Sequence, residues 1–290
     1  MSLISIRDPD SRPLPSLEWH ERLERLRGRL DSLGRVVIAY SGGVDSSLVL
    51  KVAHERLGAS ALGVIGRSDS YSSRELELAI AQAAQIGARV EVVTTGELSD
   101  PAFAANSPDR CYHCKSELYR QLRAVAERAG ATAIVDGTIF DDLSDHRPGR
   151  RAADESDVIS PLADLGFTKV DVRAAAAHLG LASSEKPASP CLASRIPYGT
   201  TITREALAAI ERAEDALRAL GFEELRVRHH GDVARIEVPT EQFARLLDPQ
   251  RRGDVVSAVL GAGFRFVSLD LEGFRSGALN RALEASGPRQ

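Results

Sequence analysis

The stretch Arg35-Val-Val-Ile-Ala-Tyr-Ser-Gly-Gly-Val-Asp-Ser-Ser47 constrains the fold more than any other part of the chain. Val36 to Tyr40 are apolar without alternation, the pattern of a strand covered on both faces in a parallel sheet. Gly42 and Gly43 lack a Cβ, so the backbone is free to turn sharply after the strand and present several N–H groups to an anion. Ser46 and Ser47 open a helix running to about Leu57, and a helix N-terminus carries unpaired donors and partial positive charge. Strand, glycine turn and helix together predict a phosphate-binding loop. It is not the kinase-type loop, because no lysine follows the glycines.

At 290 residues the chain has room for about two domains, each with its own core. Net charge is −4, from 37 basic and 41 acidic residues, and aromatics make up 5%. Neither a basic stripe nor a stacking platform for nucleic acid is present, so a small-molecule substrate is expected and no nucleic-acid partner. Met1 to Pro15 has no apolar leader run, and no stretch reads as a membrane span, which predicts a cytoplasmic protein without a membrane partner. A homo-oligomer is expected. Two of the three cysteines stand as Cys111-x-x-Cys114. In a reducing compartment that spacing favours metal or redox chemistry over a structural disulfide.

Ser16 is the expected cap of a helix with Leu23, Leu26, Leu30 and Leu33 on one face. Strand 61–66, helix 72–86 and strand 89–94 continue a βαβαβ alternation, which predicts an α/β fold with a parallel sheet flanked by helices. Ligands of such sheets sit beyond the carboxyl ends of the strands, so Ala39, Arg67 and Ser68 are candidate nucleotide neighbours. Asn106 to Lys115 leads into a helix reaching Ala129. Cys111 and Cys114 share a face at its start, where a helix N-terminus favours thiolate. Strand 133–136 ends in Gly137-Thr138 at the same sheet edge, followed by an acidic and then basic loop, Asp141 to Gly149. A helix from about Thr168 to Leu179 closes a first domain, 1–181. The proline-rich stretch 182–202 reads as an ordered connector carrying Cys191. In a small α+β domain, 203–290, a helix holding Glu214 precedes a hairpin that turns at Gly231. On that hairpin Arg226 and Arg228 share one strand face, and Arg235 and Glu237 share one on the partner strand.

Ser41-Gly-Gly-Val-Asp-Ser46 matches the SGGxDS signature of the PP-loop ATP pyrophosphatases. The resemblance implies that Ser41, Gly42, Gly43, Val44, Asp45, Ser46 and Ser47, with Gly137 at the same edge, hold ATP. Pyrophosphate would leave, an adenylate would form, and Asp45 would hold Mg²⁺. Taken with Asp109-Arg-Cys-Tyr-His-Cys-Lys115 and Pro187-Ala-Ser-Pro-Cys-Leu-Ala-Ser-Arg-Ile-Pro-Tyr-Gly199, the chain resembles the LarE family from its first helix to at least Val238. These are ATP-dependent sulfur transferases of nickel-pincer cofactor biosynthesis. The resemblance implies adenylation of a carboxylate of pyridinium-3,5-biscarboxylic acid mononucleotide, followed by conversion to a thiocarboxylate.

It also implies that Arg195, Arg226, Arg228, Glu214 and Glu237 bind the mononucleotide phosphate and a divalent metal. Members with a C-x-x-C resemble the branch in which three cysteines, here Cys111, Cys114 and Cys191, hold a [4Fe-4S] cluster supplied by a sulfide source. Three thiolates ligate three irons of a cubane and leave the fourth open to carry sulfide. Two alternatives stay open at this level: Cys191 gives up its own sulfur and becomes dehydroalanine, or the cysteines with His113 hold structural zinc. A PP-loop amidotransferase would leave all three cysteines without a role, and a tRNA thiolase fits the acidic balance poorly.

Overall fold

The computed structural model describes residues 18–143 and 148–275. The chain divides into two units, one comprising the described residues up to Glu97 together with Asp109–Ser189, the other Leu98–Pro108 and the chain from Pro190 onward. The division falls inside the proline-rich stretch.

The first unit runs α1 (Trp19–Leu33), β1 (Val36–Ala39), α2 (Val44–Leu57), β2 (Ala61–Arg67), α3 (Ser73–Ile86) and β3 (Arg89–Thr94). The short helix α4 (Pro101–Ala104) belongs to the second unit, and the first resumes with α5 (Arg110–Ala129), β4 (Ala133–Val135), α6 (Pro148–Glu155), α7 (Pro161–Asp164) and α8 (Lys169–His178). The four strands are all parallel in the order β3-β2-β1-β4, and an isolated parallel bridge from Val135 to Ile159 starts a fifth position. β1 is interior and buried along its whole length. Val36 and Ile38 pack with Leu23, Leu26, Leu30 and Leu33 of α1 and with α2 and α8, while Val37 and Ala39 face Tyr119, Leu122 and Val125 of α5 and Ala152 and Ala153 of α6. A strand with helices on both sides needs no polar face, hence its unbroken apolar run.

Ser16 lies outside the described residues. The residue at the N-cap of α1 is Glu18, with no side-chain cap bond. The expected Asp141–Gly149 loop differs from the structure: a 3₁₀ turn covers Phe140–Leu143 and α6 begins at Pro148. Proline suits a first helical turn, where its missing N–H is not needed, and burial of Ala152 and Ala153 holds the helix. In the second unit α9 (Arg204–Ala219) precedes β5 (Arg226–His230) and β6 (Val233–Glu237), then α10 (Phe243–Leu247), α11 (Pro249–Gly261) and β7 (Phe266–Leu269). β5 and β6 are antiparallel, β6 and β7 parallel. Leu207, Ile210, Ala213 and Leu217 of α9 are buried, as are Val227, Ala234 and Ile236 of the sheet.

Candidate active site

The strand order reverses direction between β1 and β4, and ligands of open parallel sheets bind in the crevice at such a point. Both flanking loops carry the expected glycines. Gly42 has φ +68°, and a Cβ there would lie 2.6 Å from the Cβ of Ala79. Gly137, just past β4, abuts the start of α2 so closely that a Cβ would lie 2.6 Å from the Ser46 nitrogen. Asp136 fixes that approach: its carboxylate accepts from Tyr119 Oη at 3.1 Å, the Thr138 nitrogen at 3.0 Å, Thr138 Oγ1 at 2.7 Å and Ser160 Oγ at 2.8 Å.

Within the loop Ser46 is a brace. Its Oγ donates to the Gly43 carbonyl at 3.2 Å and accepts from the Ser41 nitrogen at 3.2 Å, leaving Val44 and Asp45 at the first turn of α2. Tyr71 Oη donates to the Ser41 carbonyl at 2.9 Å. Burial, and then the nearby Glu75 carboxylate, raise this phenol far above its ordinary range, so it stays a donor. Ser47 is fully buried beneath the loop.

Sequence reading found no lysine after the glycines, yet the fold supplies two from afar. Lys169 Nζ, at the first residue of α8, sits 2.7 Å from both carboxylate oxygens of Asp45. Lys186 Nζ lies 2.7 Å from Glu75 Oε2 and 3.4 Å from the Gly42 carbonyl. Its backbone is tied down: Arg173 donates to the Ser184 and Lys186 carbonyls at 2.7 and 3.1 Å, and Gln82 Nε2 donates to the buried Ser183 Oγ at 2.6 Å. Ala39 ends β1, Arg67 ends β2 and donates to Thr94 Oγ1 at 3.2 Å, and Ser68 is bonded through Ser70 to the buried Glu97.

Cys111 and Cys114 lie at the second and fifth residues of α5, the first exposed and the second half-buried. Beside them Tyr112 donates to Glu155 at 2.6 Å and the Arg151 guanidinium stacks 3.8 Å from its ring centroid, so α6 covers this end of α5. Among the described residues no three His, Cys, Asp or Glu side chains are grouped as a metal site.

In the second unit Cys191 is half-buried at the N-cap of a 3₁₀ turn, Leu192–Arg195. Arg195 pairs with Glu214 and Arg228 with Glu237, each through two N–H groups at 2.7 to 3.1 Å. All four are buried, although the hairpin pattern had assigned Arg228 to a polar strand face. Glu214 also accepts from Arg218 at 2.8 Å and from the Val227 nitrogen at 3.1 Å, and Arg235 approaches Glu237 at 3.5 Å. Burial alone would raise the Glu214 carboxyl, but the Arg195 and Arg218 charges hold it below the usual range. Arg226 is placed differently, half-buried with its guanidinium 5.0 Å from the Phe274 ring. Burial pushes it down to about 10, and Arg195, Arg228 and Arg218 press the same way against the pull of Glu214. A cation crowded by cations is a place where an anion gains binding energy.

Lys169, Lys186, Asp136 and Tyr71 were not singled out by sequence. Neither was Asn106, fully buried, whose Nδ2 lies 2.8 to 3.2 Å from the carbonyls of Ile196, Pro197 and Thr200. The only signal available for the lysines was a cation at a helix start and another beside a proline.

No family model matches the chain. It is 47% identical over 262 residues to an uncharacterised protein of Synechocystis, covering 90% of this chain and 98% of the other. It is 43% identical over 256 residues to the pyridinium-3,5-bisthiocarboxylic acid mononucleotide synthase of Lactiplantibacillus plantarum, covering 88% and 92%. An uncharacterised protein of Methanocaldococcus jannaschii is 30% identical over 242 residues, covering 83% and 91%. With matches of this length running through both units, the chain belongs to the LarE family, that of the pyridinium-3,5-bisthiocarboxylic acid mononucleotide synthases.

Proposed function

We propose that this protein is an ATP-dependent sulfur transferase of nickel-pincer cofactor biosynthesis. It activates a carboxylate of pyridinium-3,5-biscarboxylic acid mononucleotide as the adenylate and converts it to the thiocarboxylate. The observation that carries the reading is the Ser41–Ser47 loop at the sheet's switch point, closed by Gly137 and approached by Lys169 and Lys186, in a chain with Cys111, Cys114 and Cys191.

The loop N–H groups and the α2 N-terminus receive the β- and γ-phosphates, and Lys186 exchanges Glu75 for a phosphate oxygen. The substrate carboxylate oxygen attacks the α-phosphorus and the bond to the β-phosphate bridge breaks. Pyrophosphate leaves against the loop, its charge held by fixed donors. Asp45, a hard carboxylate on the first turn of α2, fits Mg²⁺, which would offset charge on the phosphates. Arg226 takes the substrate's own phosphate. A sulfur nucleophile then attacks the acyl carbon, the bond to the adenylate oxygen breaks and AMP departs.

The soft thiols three residues apart at the start of α5 fit an iron-sulfur cluster better than a hard cation, and Cys191 is the third donor. When bound, a [4Fe-4S] cluster supplies an iron that carries inorganic sulfide. The protein works with small molecules, ATP, the mononucleotide and a sulfide source, as a cytoplasmic homo-oligomer. Among the described residues no helix is long and apolar enough to cross a membrane.

The test is to follow labelled ATP with the carboxylate substrate. AMP and pyrophosphate are expected, whereas ADP and phosphate alone would remove the assignment. Anaerobically reconstituted protein should hold about four irons with broad visible absorption, lost in each Cys→Ala variant, and should make more than one product per chain. An active iron-free protein that loses one H₂S at Cys191 would instead establish the single-use mechanism.

A further inference from the structure

Arg195 and Arg228 share an arrangement that phosphate recognition does not account for. A guanidinium offers five N–H donors in a planar fork. In Arg195, Nε and NH2 are taken by Glu214, and NH1 turns back to the chain, onto the Pro190 carbonyl at 2.5 Å, the Cys191 carbonyl at 3.1 Å and Ser194 Oγ at 3.0 Å. In Arg228, Nε and NH2 are taken by Glu237, and NH1 donates to the Ser194 carbonyl at 2.9 Å. Exposures of Arg195, Glu214 and Glu237 are 2, 1 and 1%.

Two charge pairs buried this deeply are costly to desolvate, and apolar side chains of similar volume would hold the bulk of the unit as well or better. What apolar side chains cannot do is donate to carbonyls. Both pairs converge on one short segment, 190–194, where Ser194 N–H also donates to the Cys191 carbonyl and Ile196 N–H to the Ala193 carbonyl. Just beyond it Asn106 holds the carbonyls of Ile196, Pro197 and Thr200, so side-chain donors continue along the chain that follows the segment.

We propose that the Arg195–Glu214 and Arg228–Glu237 pairs are positioning residues that set the direction of the Cys191 thiol. Each glutamate fixes the plane of its arginine; Arg195 fixes the Pro190 and Cys191 carbonyls and Arg228 the Ser194 carbonyl that closes the same turn, so the thiol is oriented before any ligand arrives. The purpose of this orientation rests on the sulfur-transfer reading, but the bracket is a property of the folded chain. Glu214 accepts four hydrogen bonds, from Arg195, Arg218 and the Val227 nitrogen, so a divalent ion on that carboxylate requires the bracket to open.

The test uses the full-length protein, chelated and reduced, with limiting iodoacetamide and site-by-site mass spectrometry. Alkylation of Cys191 relative to Cys111 and Cys114 in the same sample should rise about tenfold in Glu214→Gln, and thiocarboxylate formed per AMP released should fall by about as much. Arg195→Lys should behave likewise, because a single ammonium cannot span the carboxylate and both carbonyls. Ser194→Ala removes one half-buried acceptor and keeps the bracket charges, so it should fold and show a smaller rise. Labelling ratios within twofold of wild type in folded Glu214→Gln and Arg195→Lys, a rise in Ser194→Ala as large as theirs, or an equal rise at all three cysteines, would overturn the proposal. Absence of thiocarboxylate from the wild type would overturn the sulfur-transfer reading instead, while the labelling ratio still decides the positioning.

Discussion

Lys169 Nζ lies 2.7 Å from each carboxylate oxygen of Asp45, across 124 residues of sequence. The pair fixes the first turn of α2 from outside and holds Asp45, the ligand proposed for the metal that accompanies ATP. Side-chain exposures of 43 and 26% place it in the range where an ion pair is worth at most about 1 kcal/mol. Asp45→Asn should therefore leave the melting temperature nearly unchanged while lowering AMP formation at least a hundredfold, about 3 kcal/mol in the barrier. A melting scan and a labelled-ATP assay on one preparation check both halves.

Lys186 tests the proposed phosphate contact. With its ammonium at Glu75 and the Gly42 carbonyl, Lys186→Met should weaken ATP about tenfold or more and leave AMP within twofold, since a bond to a charged group is worth roughly 1.5 to 3 kcal/mol. Calorimetric titration with both nucleotides makes the comparison. Equal losses would mean that the lysine serves the fold alone.

Gly137→Ala adds one methyl group 2.6 Å from the Ser46 nitrogen, where the neighbour is backbone and has no rotamer to change. Destabilisation of about 1 to 3 kcal/mol is expected, with loss of ATP binding because β4 and α2 must separate. Denaturant midpoints and nucleotide titration read the two effects, and an unaltered ATP affinity would remove Gly137 from the site.

Arg226 should show opposite signs in stability and binding. Its pKa of about 10 lies below the ordinary arginine value of 12.5, so between those limits the unfolded chain binds more protons and stability rises with pH. At neutral pH the charge therefore burdens the folded state. Arg226→Gln should raise the melting temperature of the ligand-free protein and weaken the mononucleotide about tenfold or more, with ATP affinity unchanged. A variant less stable than wild type would contradict the burden that burial places on the charge, and one that binds the mononucleotide normally would contradict the phosphate assignment.

Local chemistry made much of this protein legible in its sequence. The leucines of α1 recur at helical spacing, β1 is uniformly apolar because both its faces are covered, and the Ser-Gly-Gly turn lets the strand run straight into the helix with Gly42 at φ +68°. C-x-x-C at the start of α5 is local in the same sense, since helix geometry alone puts the two thiols on one side. Boundaries of β2, α3 and β4 moved by one residue where ends fray, and α6 was missed because Pro148 and Gly149 read as loop while burial of Ala152 and Ala153 supplies what propensity lacks.

Tertiary structure decided which charges meet. Lys169 reaches Asp45 across 124 residues and Lys186 reaches Gly42 across 144, so no window of sequence contains either pair. The alternation of β5 correctly set Arg226 and Arg228 apart from their apolar neighbours, but it could not show that Arg228 is buried on Glu237 or that Arg226 stands among other arginines. Periodicity reports which side of an element a residue occupies. Whether that side meets water, a carboxylate or a carbonyl depends on the element packed against it, and that is fixed only when the chain has folded.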